Sequence, residues 1–287
     1  MAGTMTVFFV AMNSFTSYAA IMLNIVAIIA LRKTQSLQKP LKTLLLSISA
    51  SDLCVGLLVQ PLYMALHMSN KDKPIFKPLA TVNTISTTFF CTATLLGICA
   101  VSVDRFLAIH LHLRYQEIVT HRRVQAVVIS IWVLSAVLSL PRTGIYSEKA
   151  NRIILAIIVF IILGCLVPIA IIYVKLYVVL KHHIMQAQAL NINLDSQTTV
   201  AIEDTARQKK CTVAIFYLYL TLLICYLPNA CLALMIVVDA SFPSEIIYFS
   251  DALVYLNSSL DPLIYCWKMR QVRLAAMNIL RNIHFRC

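Results

Sequence analysis

Seven stretches of apolar residues, at about 8–32, 42–67, 78–110, 123–141, 152–180, 210–237 and 244–266, fill most of this chain, and mostly short polar links separate them. About 20 apolar residues in helical form cross the ~30 Å hydrocarbon core of a bilayer, so each run is long enough for one passage. Backbone groups in lipid must satisfy one another within the segment, which makes helices the expected form. Composition agrees, with 60% hydrophobic residues, 13% charged and a mean hydropathy of +0.82. Soluble chains carry about a quarter charged residues, so an ordinary soluble enzyme and a disordered chain are both excluded. The expectation is an all-α membrane protein, a single domain over 1–287 folded as a seven-transmembrane helix bundle. Met1 to Val10 lacks a basic n-region and a small-residue cleavage site, so the first run reads as a span and not a removable leader.

The sparse charges orient the bundle. With the N-terminus extracellular, eighteen Lys and Arg residues fall on the cytoplasmic side, and six (Lys71, Lys73, Lys77, Arg142, Lys149 and Arg152) fall outside. The positive-inside rule then places the C-terminus in the cytoplasm, and the chain reads as a multi-pass protein of the plasma membrane. The net charge of +12 is spread between apolar runs and never gathered into one patch, so nucleic acid is not an expected partner. Five glycines leave little material for phosphate-binding loops. There is no His/Asp/Glu cluster at metal-ligand spacing and no Ser or Cys in a nucleophile motif, so the chain does not read as an enzyme. None of the nine cysteines falls in a segment placed outside the cell, and no disulfide is expected.

Two further segments have a local reading. Over 267–285, Val272, Ala275, Ala276, Ile279 and Ile283 recur at helical spacing among basic residues, which predicts a short amphipathic eighth helix in contact with lipid at the inner interface. The terminal Cys287 is a candidate for lipidation, although it forms no prenylation box. The stretch from His182 to Lys209 has no strong apolar face and reads as a mobile loop.

Ionisable groups at bilayer depth cost several kcal/mol unless paired, so each is a functional candidate. They are few: Asp52 in the second run, Asp104 and Arg105 near the inner end of the third, and Asp251 and Asp261 in the seventh. Run three ends VSVDRFLAIHLHLRY and run seven ends LNSSLDPLIYCW. These resemble the D-R-Y and N/D-P-x-x-Y signatures of rhodopsin-like, class A G-protein-coupled receptors. Asn24, Asp52, Trp132 and Pro228 also stand where that family keeps its markers, each on the expected run and in order. Within it, DPLIY followed by a basic amphipathic stretch and the short outer link between runs four and five look most like the melanocortin, cannabinoid and adenosine receptor branch. The melanocortin acids are replaced by Leu62, Ala80 and Thr84, and the purine-holding asparagine of adenosine receptors by Ala233, so the ligand does not carry over.

The resemblance implies a receptor for an extracellular small-molecule or peptide ligand, with a heterotrimeric G protein and arrestin as partners. It implies a coupling switch of Asp104, Arg105, Tyr173, Pro262 and Tyr265, and a helix pivot at Tyr226 and Pro228. It also implies a mid-membrane polar cluster of Asn24, Asp52, Thr94, Asn257, Ser258 and Asp261. Two carboxylates close together in low dielectric cannot both ionise without a cation, so either one is protonated or a sodium ion is bound, at Asp52 by family resemblance; no other cofactor is expected. Phe106 replaces the tyrosine of D-R-Y, Tyr226 the usual tryptophan, and Gln208 an acid that often locks Arg105, which predicts raised ligand-independent signalling. The usual outer disulfide cannot form, because Ala80 stands at the cysteine position. Aligning Tyr173 with the family's tyrosine puts Cys165 at the usual proline position, and Pro168 three residues later.

Pocket candidates lie above Tyr226: Tyr63, Thr87, Thr88, Cys91, Asn229, Ala233, Asp251 and Tyr255, with His67 at a helix end. Asp251, Tyr255 and Ser258 fall at i, i+4 and i+7, on one helix face. Asp251 either anchors a cationic ligand, pairs with a basic outer-loop residue, or is solvated. Thr87 stands where aminergic receptors carry an aspartate, and Tyr255 where opsins carry the retinal lysine. The rival reading of the buried acids is an ion transporter or channel.

Overall fold

The computed structural model describes residues 2–35, 37–69, 72–111, 114–143, 148–189, 196–238 and 244–284. These form an all-α bundle of seven long helices: α1 (Ala2–Lys33), α2 (Lys39–Met68), α3 (Phe76–His110), α4 (His121–Ser139), α5 (Glu148–Ala189), α6 (Ser196–Val237) and α7 (Ser244–Lys268). A terminal helix follows, α8 (Arg270–His284). Among the described residues, α1 to α6 contain segments long and apolar enough to cross a membrane. α7 has the length but not the apolarity, because Asp251, Asn257, Ser258, Ser259 and Asp261 lie along it.

Local chemistry accounts for several helix ends and one irregularity. Gln38 precedes α2, with Pro40 in its first turn, where a missing N–H costs nothing. Thr120 caps α4 by accepting from the Arg123 backbone N–H at 3.4 Å. Inside α2 the residues Val55–Val59 wind as a π-turn. Pro61 has no N–H for the Leu57 carbonyl, and a widened turn lets the helix continue past it. α1 binds the loosened backbone: Ser17 Oγ donates to the Gly56 carbonyl at 2.8 Å, and Asn13 Nδ2 to the Gln60 carbonyl at 3.1 Å. Gln60 Nε2 donates back to Asn13 Oδ1 and Thr16 Oγ1, each at 2.9 Å.

The Thr- and Ser-rich α3 is the central helix, packed against α2, α4, α5 and α6. α2 and α3 approach closely at Gly97, where a Cβ would stand 2.8 Å from Ile48 Cγ1. Trp132 of α4 donates to Ser47 Oγ of α2 at 3.0 Å and packs on Phe89 and Phe90. Outward faces are apolar, as at Ile129, Val133 and Val137 on α4, which suits contact with lipid tails.

The expected mobile loop at His182–Lys209 is corrected for 182–189 and 196–209, while 190–195 lie outside the described residues. α5 continues to Ala189 and α6 begins at Ser196, each helix being 42 residues long. At ~1.5 Å per residue that is about 63 Å, roughly twice the ~30 Å hydrocarbon thickness. Lack of an apolar face does not stop a helix that has left the bilayer, because Gln, Ala, Glu, Lys and Arg all favour the helical backbone and no Gly or Pro interrupts. α8 buries Val272, Ala276 and Ile279 against the bundle beside α1 and α7, while Leu274, Met277 and Leu280 are exposed. Cys287 lies outside the described residues, as do the side chains of Gln208 and Cys165.

Candidate functional site

Polar side chains follow one column down the interior, in three layers. The outermost is a cavity of about 410 Å³ between α3, α5, α6 and α7, a volume within the range of small-molecule sites. Thr87, Thr88 and Cys91 line it from α3, Asn229 and Ala233 from α6, and Asp251 and Tyr255 from α7, with Tyr226 also on its wall. Tyr63, expected in the pocket, does not line it. It is buried one layer behind, packed edge-on against Tyr255 at 5.2 Å, because the aromatic stack Tyr63, His67 and Tyr248 closes that side.

Asp251 does not pair with a basic residue among those described. Asn229 Nδ2 donates to its Oδ1 at 3.1 Å and to Ser250 Oγ at 3.2 Å. The Tyr63 hydroxyl points toward Asp251 without closing a hydrogen bond. The Tyr255 and Thr87 hydroxyls meet at 3.5 Å across the α3–α7 gap, and the Tyr226 hydroxyl donates to the Cys91 carbonyl at 3.3 Å. Arg142, Asn83 and Thr84 also line the cavity, and sequence reasoning missed all three. The charge of Arg142 places it only on the outer side; Asn83 and Thr84 each sit one turn above Thr87 and Thr88 on the same helix faces, a signal the 3.6-residue period does carry.

The middle layer gathers the predicted cluster. Thr94 Oγ1 donates to Asp52 Oδ1 at 3.1 Å and lies 2.9 Å from Ser51 Oγ. Asn24 Nδ2 donates to the Ser258 carbonyl at 2.8 Å, and Asn257 Nδ2 to Asp261 Oδ2 at 3.3 Å. Asn24, Asp52, Thr94, Asn257, Ser258 and Asp261 are all buried, and the Asp52 and Asp261 carboxyls face each other. Four oxygens here, Asn24 Oδ1, Asp52 Oδ2, Asn257 Oδ1 and Asp261 Oδ1, have no hydrogen-bond partner among the described residues. Two of these oxygens belong to carboxyls that face each other, and either a proton held on one carboxyl or a cation between them would relieve the pair.

The inner layer holds Arg105. Asp104 Oδ2 accepts from Arg105 Nε at 2.9 Å and from Nη2 at 2.6 Å. Arg105 Nη2 also donates to Gln38 Oε1 at 3.0 Å and reaches the Tyr115 hydroxyl at 3.4 Å. Tyr115, in a single helical turn at Tyr115–Ile118, donates to Asp104 Oδ1 at 2.7 Å. Burial, with the Asp104 carboxylate next to it, pushes the Tyr115 phenol up, so it keeps its proton and serves as donor. Sequence reasoning missed Gln38 and Tyr115, because each acts from a connection whose path no periodicity predicts.

Tyr173 and Tyr265, expected to converge on a freed Arg105, are not bonded to it in this packing. The Tyr173 hydroxyl lies 3.1 Å from Ser102 Oγ and its ring stacks on Tyr219 at 5.3 Å. Tyr265 is fully buried, its hydroxyl without a partner among the described residues. Pro262 is buried in α7, and Pro228 lies inside α6, where it leaves the Ile224 carbonyl without its usual donor.

Comparison with known proteins bears on this column. A family model described as the seven-transmembrane receptor (rhodopsin family) matches residues 23–152. The chain is 43% identical over 108 residues to 5-hydroxytryptamine receptor 1 of Drosophila melanogaster, covering 37% of this chain and 19% of that protein. It is 30% identical over 118 residues to the alpha-2B adrenergic receptor of Rattus norvegicus, covering 41% of this chain and 26% of that one. It is 22% identical over 289 residues to adenosine receptor A3 of Ovis aries, covering 91% of this chain and 86% of the relative. The chain thus spans about a fifth to a quarter of the two amine receptors, and most of the adenosine receptor.

Proposed function

Because residues 23–152 match the rhodopsin-family receptor model and the relatives above are receptors of that kind, we propose that the chain is a G-protein-coupled receptor of that family, binding an extracellular ligand in the α3–α6–α7 cavity. The observation that carries this reading is the vertical continuity of the polar column. A ligand-sized cavity lies at one end, the Asp52–Asp261 layer in the middle, and an arginine held by neighbours it can leave at the other. The charge asymmetry supports a plasma-membrane orientation with the cavity outside and Arg105 facing the cytoplasm.

A ligand shifts the balance between two helix packings only by binding one better than the other. Contacts made jointly to Thr87 on α3, Asn229 on α6 and Asp251 on α7 would differ between packings if α6 turned about Pro228. Release of Arg105 from Asp104, Gln38 and Tyr115 then opens the inner face to a heterotrimeric G protein, and arrestin would read the same face. An arginine suits the role, since it stays charged and offers a fork of donors to a new partner. With Thr87 in place of an acid on α3, Asp251 is the cavity carboxylate that can take a cationic ligand group.

The oxygens of Asp52, Asp261, Asn24 and Asn257 fit a sodium ion, which would neutralise the facing carboxyls and tie α2 to α7. Replacing sodium by a bulky organic cation should then change agonist affinity, and unchanged affinity removes this part of the reading. α8, with its exposed Leu274, Met277 and Leu280, would lie against inner-leaflet lipid, and Cys287 would extend that contact if lipidated.

The test is a ligand screen read out by G-protein activation, with Arg105→Ala as the silent control. A ligand-driven signal that survives Arg105→Ala overturns the switch, and ion flux in reconstituted vesicles without G protein overturns the receptor reading. The relatives named above are receptors, and the transporter alternative draws no support from them.

A further inference from the structure

The cavity contains a charge that the ligand-binding reading has not used. Arg142 belongs to the 3-10 turn Leu140–Thr143 at the outer end of α4, and its half-buried side chain lines the cavity. It has no hydrogen-bond or ion-pair partner among the described residues. An arginine partly withdrawn from water gains from an acceptor, and an anion in the cavity could use its guanidinium fork. Asn83, buried on the α3 wall against which this turn packs, has its Oδ1 unpaired as well. Its amide presents a donor or an acceptor according to how it is turned.

Among the described residues, the other formal charge in the cavity wall is Asp251, held by Asn229. The Arg142 turn packs on α3, α4 and α5, whereas α7 packs on α1, α2 and α6, so the two charges face each other across the cavity and do not meet. Between them the lining is neutral: the hydroxyls Thr84, Thr87 and Thr88 on one wall, and apolar Val159 and Ala233 on the other.

Resting on the receptor reading for its consequence, we propose that the cavity takes an elongated zwitterion, its cationic end on Asp251 and its acidic end on Arg142. A ligand with both charges on adjacent carbons could satisfy only one wall. A plain amine would leave Arg142 unanswered, which is the chemical difference from a receptor that holds its ligand by a single carboxylate.

The experiment follows binding without G protein, by the shift in thermal unfolding of the purified full-length chain in lipid nanodiscs. The probes are ω-amino acids of increasing length, flexible and with an aromatic spacer, each beside its methyl ester (cation only) and its N-acetyl form (anion only). At the fitting length the zwitterion should stabilise the protein more than either single-charge analogue. Arg142→Gln should weaken it about 10- to 100-fold, down to the level of its ester, with the ester unaffected. Arg142→Lys should restore part of the gain, and the unfolding temperature without probe reports whether each variant is folded. A zwitterion no better than its ester at every length, or one indifferent to Arg142→Gln, overturns the proposal. Nucleotide exchange on an added G protein separates the two readings. Arg142-dependent binding with no exchange keeps the zwitterion site and removes the receptor reading; exchange driven by a ligand indifferent to Arg142 does the reverse.

Discussion

On the receptor reading, Tyr115 acts on the proposed switch from outside every membrane span. Its hydroxyl donates to Asp104 Oδ1 while the other carboxylate oxygen takes Arg105 Nε and Nη2, so two side chains engage both oxygens of one carboxylate. A hydrogen bond to a charged group contributes about 1.5 kcal/mol, roughly a tenfold change in an equilibrium. Tyr115→Phe should therefore raise basal nucleotide exchange by up to about tenfold at equal receptor amount, and an unchanged rate contradicts this account of the lock. Asp104, Arg105, Asp52 and Asp261 were legible from sequence, because charge at bilayer depth is rare and needs a reason. Gln38, Tyr115 and Arg142 were not, since each lies where charge or polarity is ordinary and only the path of the chain brings it inward.

At the scale of helices, the bundle depends on two close approaches with different chemistry. At Gly97 a side chain would press on Ile48 Cγ1, which is bonded directly to the branched Cβ and is stiff about χ1. Gly97→Ala should lower stability by about 1–3 kcal/mol, seen as an earlier thermal unfolding of the purified protein, through overpacking. Between α1 and the π-turn of α2, Asn13 satisfies both the Gln60 carbonyl and the Gln60 amide. Asn13→Ala leaves two buried groups short of a partner and should cost about 1–3 kcal/mol by the same measurement, whereas a change at the exposed Phe15 should cost little. The positions of the helices were legible from the apolar runs, and Pro61 marked the place of the irregular turn without saying that α1 would bind it. The extent of α5 and α6 was not legible, because apolarity reports where lipid ends and the helical backbone continues beyond it.

Across the whole molecule, the central claim is that an outer cavity and an inner lock are two ends of one two-state device. Arg105 is held from α3, from the N-cap of α2 and from the turn after α3. The sequence places Gln208, an uncharged side chain, where an acid often locks this arginine, so the resting packing is expected to be weakly held and basal signalling raised. The measurement that tests this most directly is basal nucleotide exchange on a purified heterotrimeric G protein, with the full chain in nanodiscs and no ligand added. Exchange above the rate of the G protein alone, abolished by Arg105→Ala in a variant that unfolds at the wild-type temperature, is the predicted result. A wild-type rate equal to that of the G protein alone, or one that Arg105→Ala leaves intact, would contradict it.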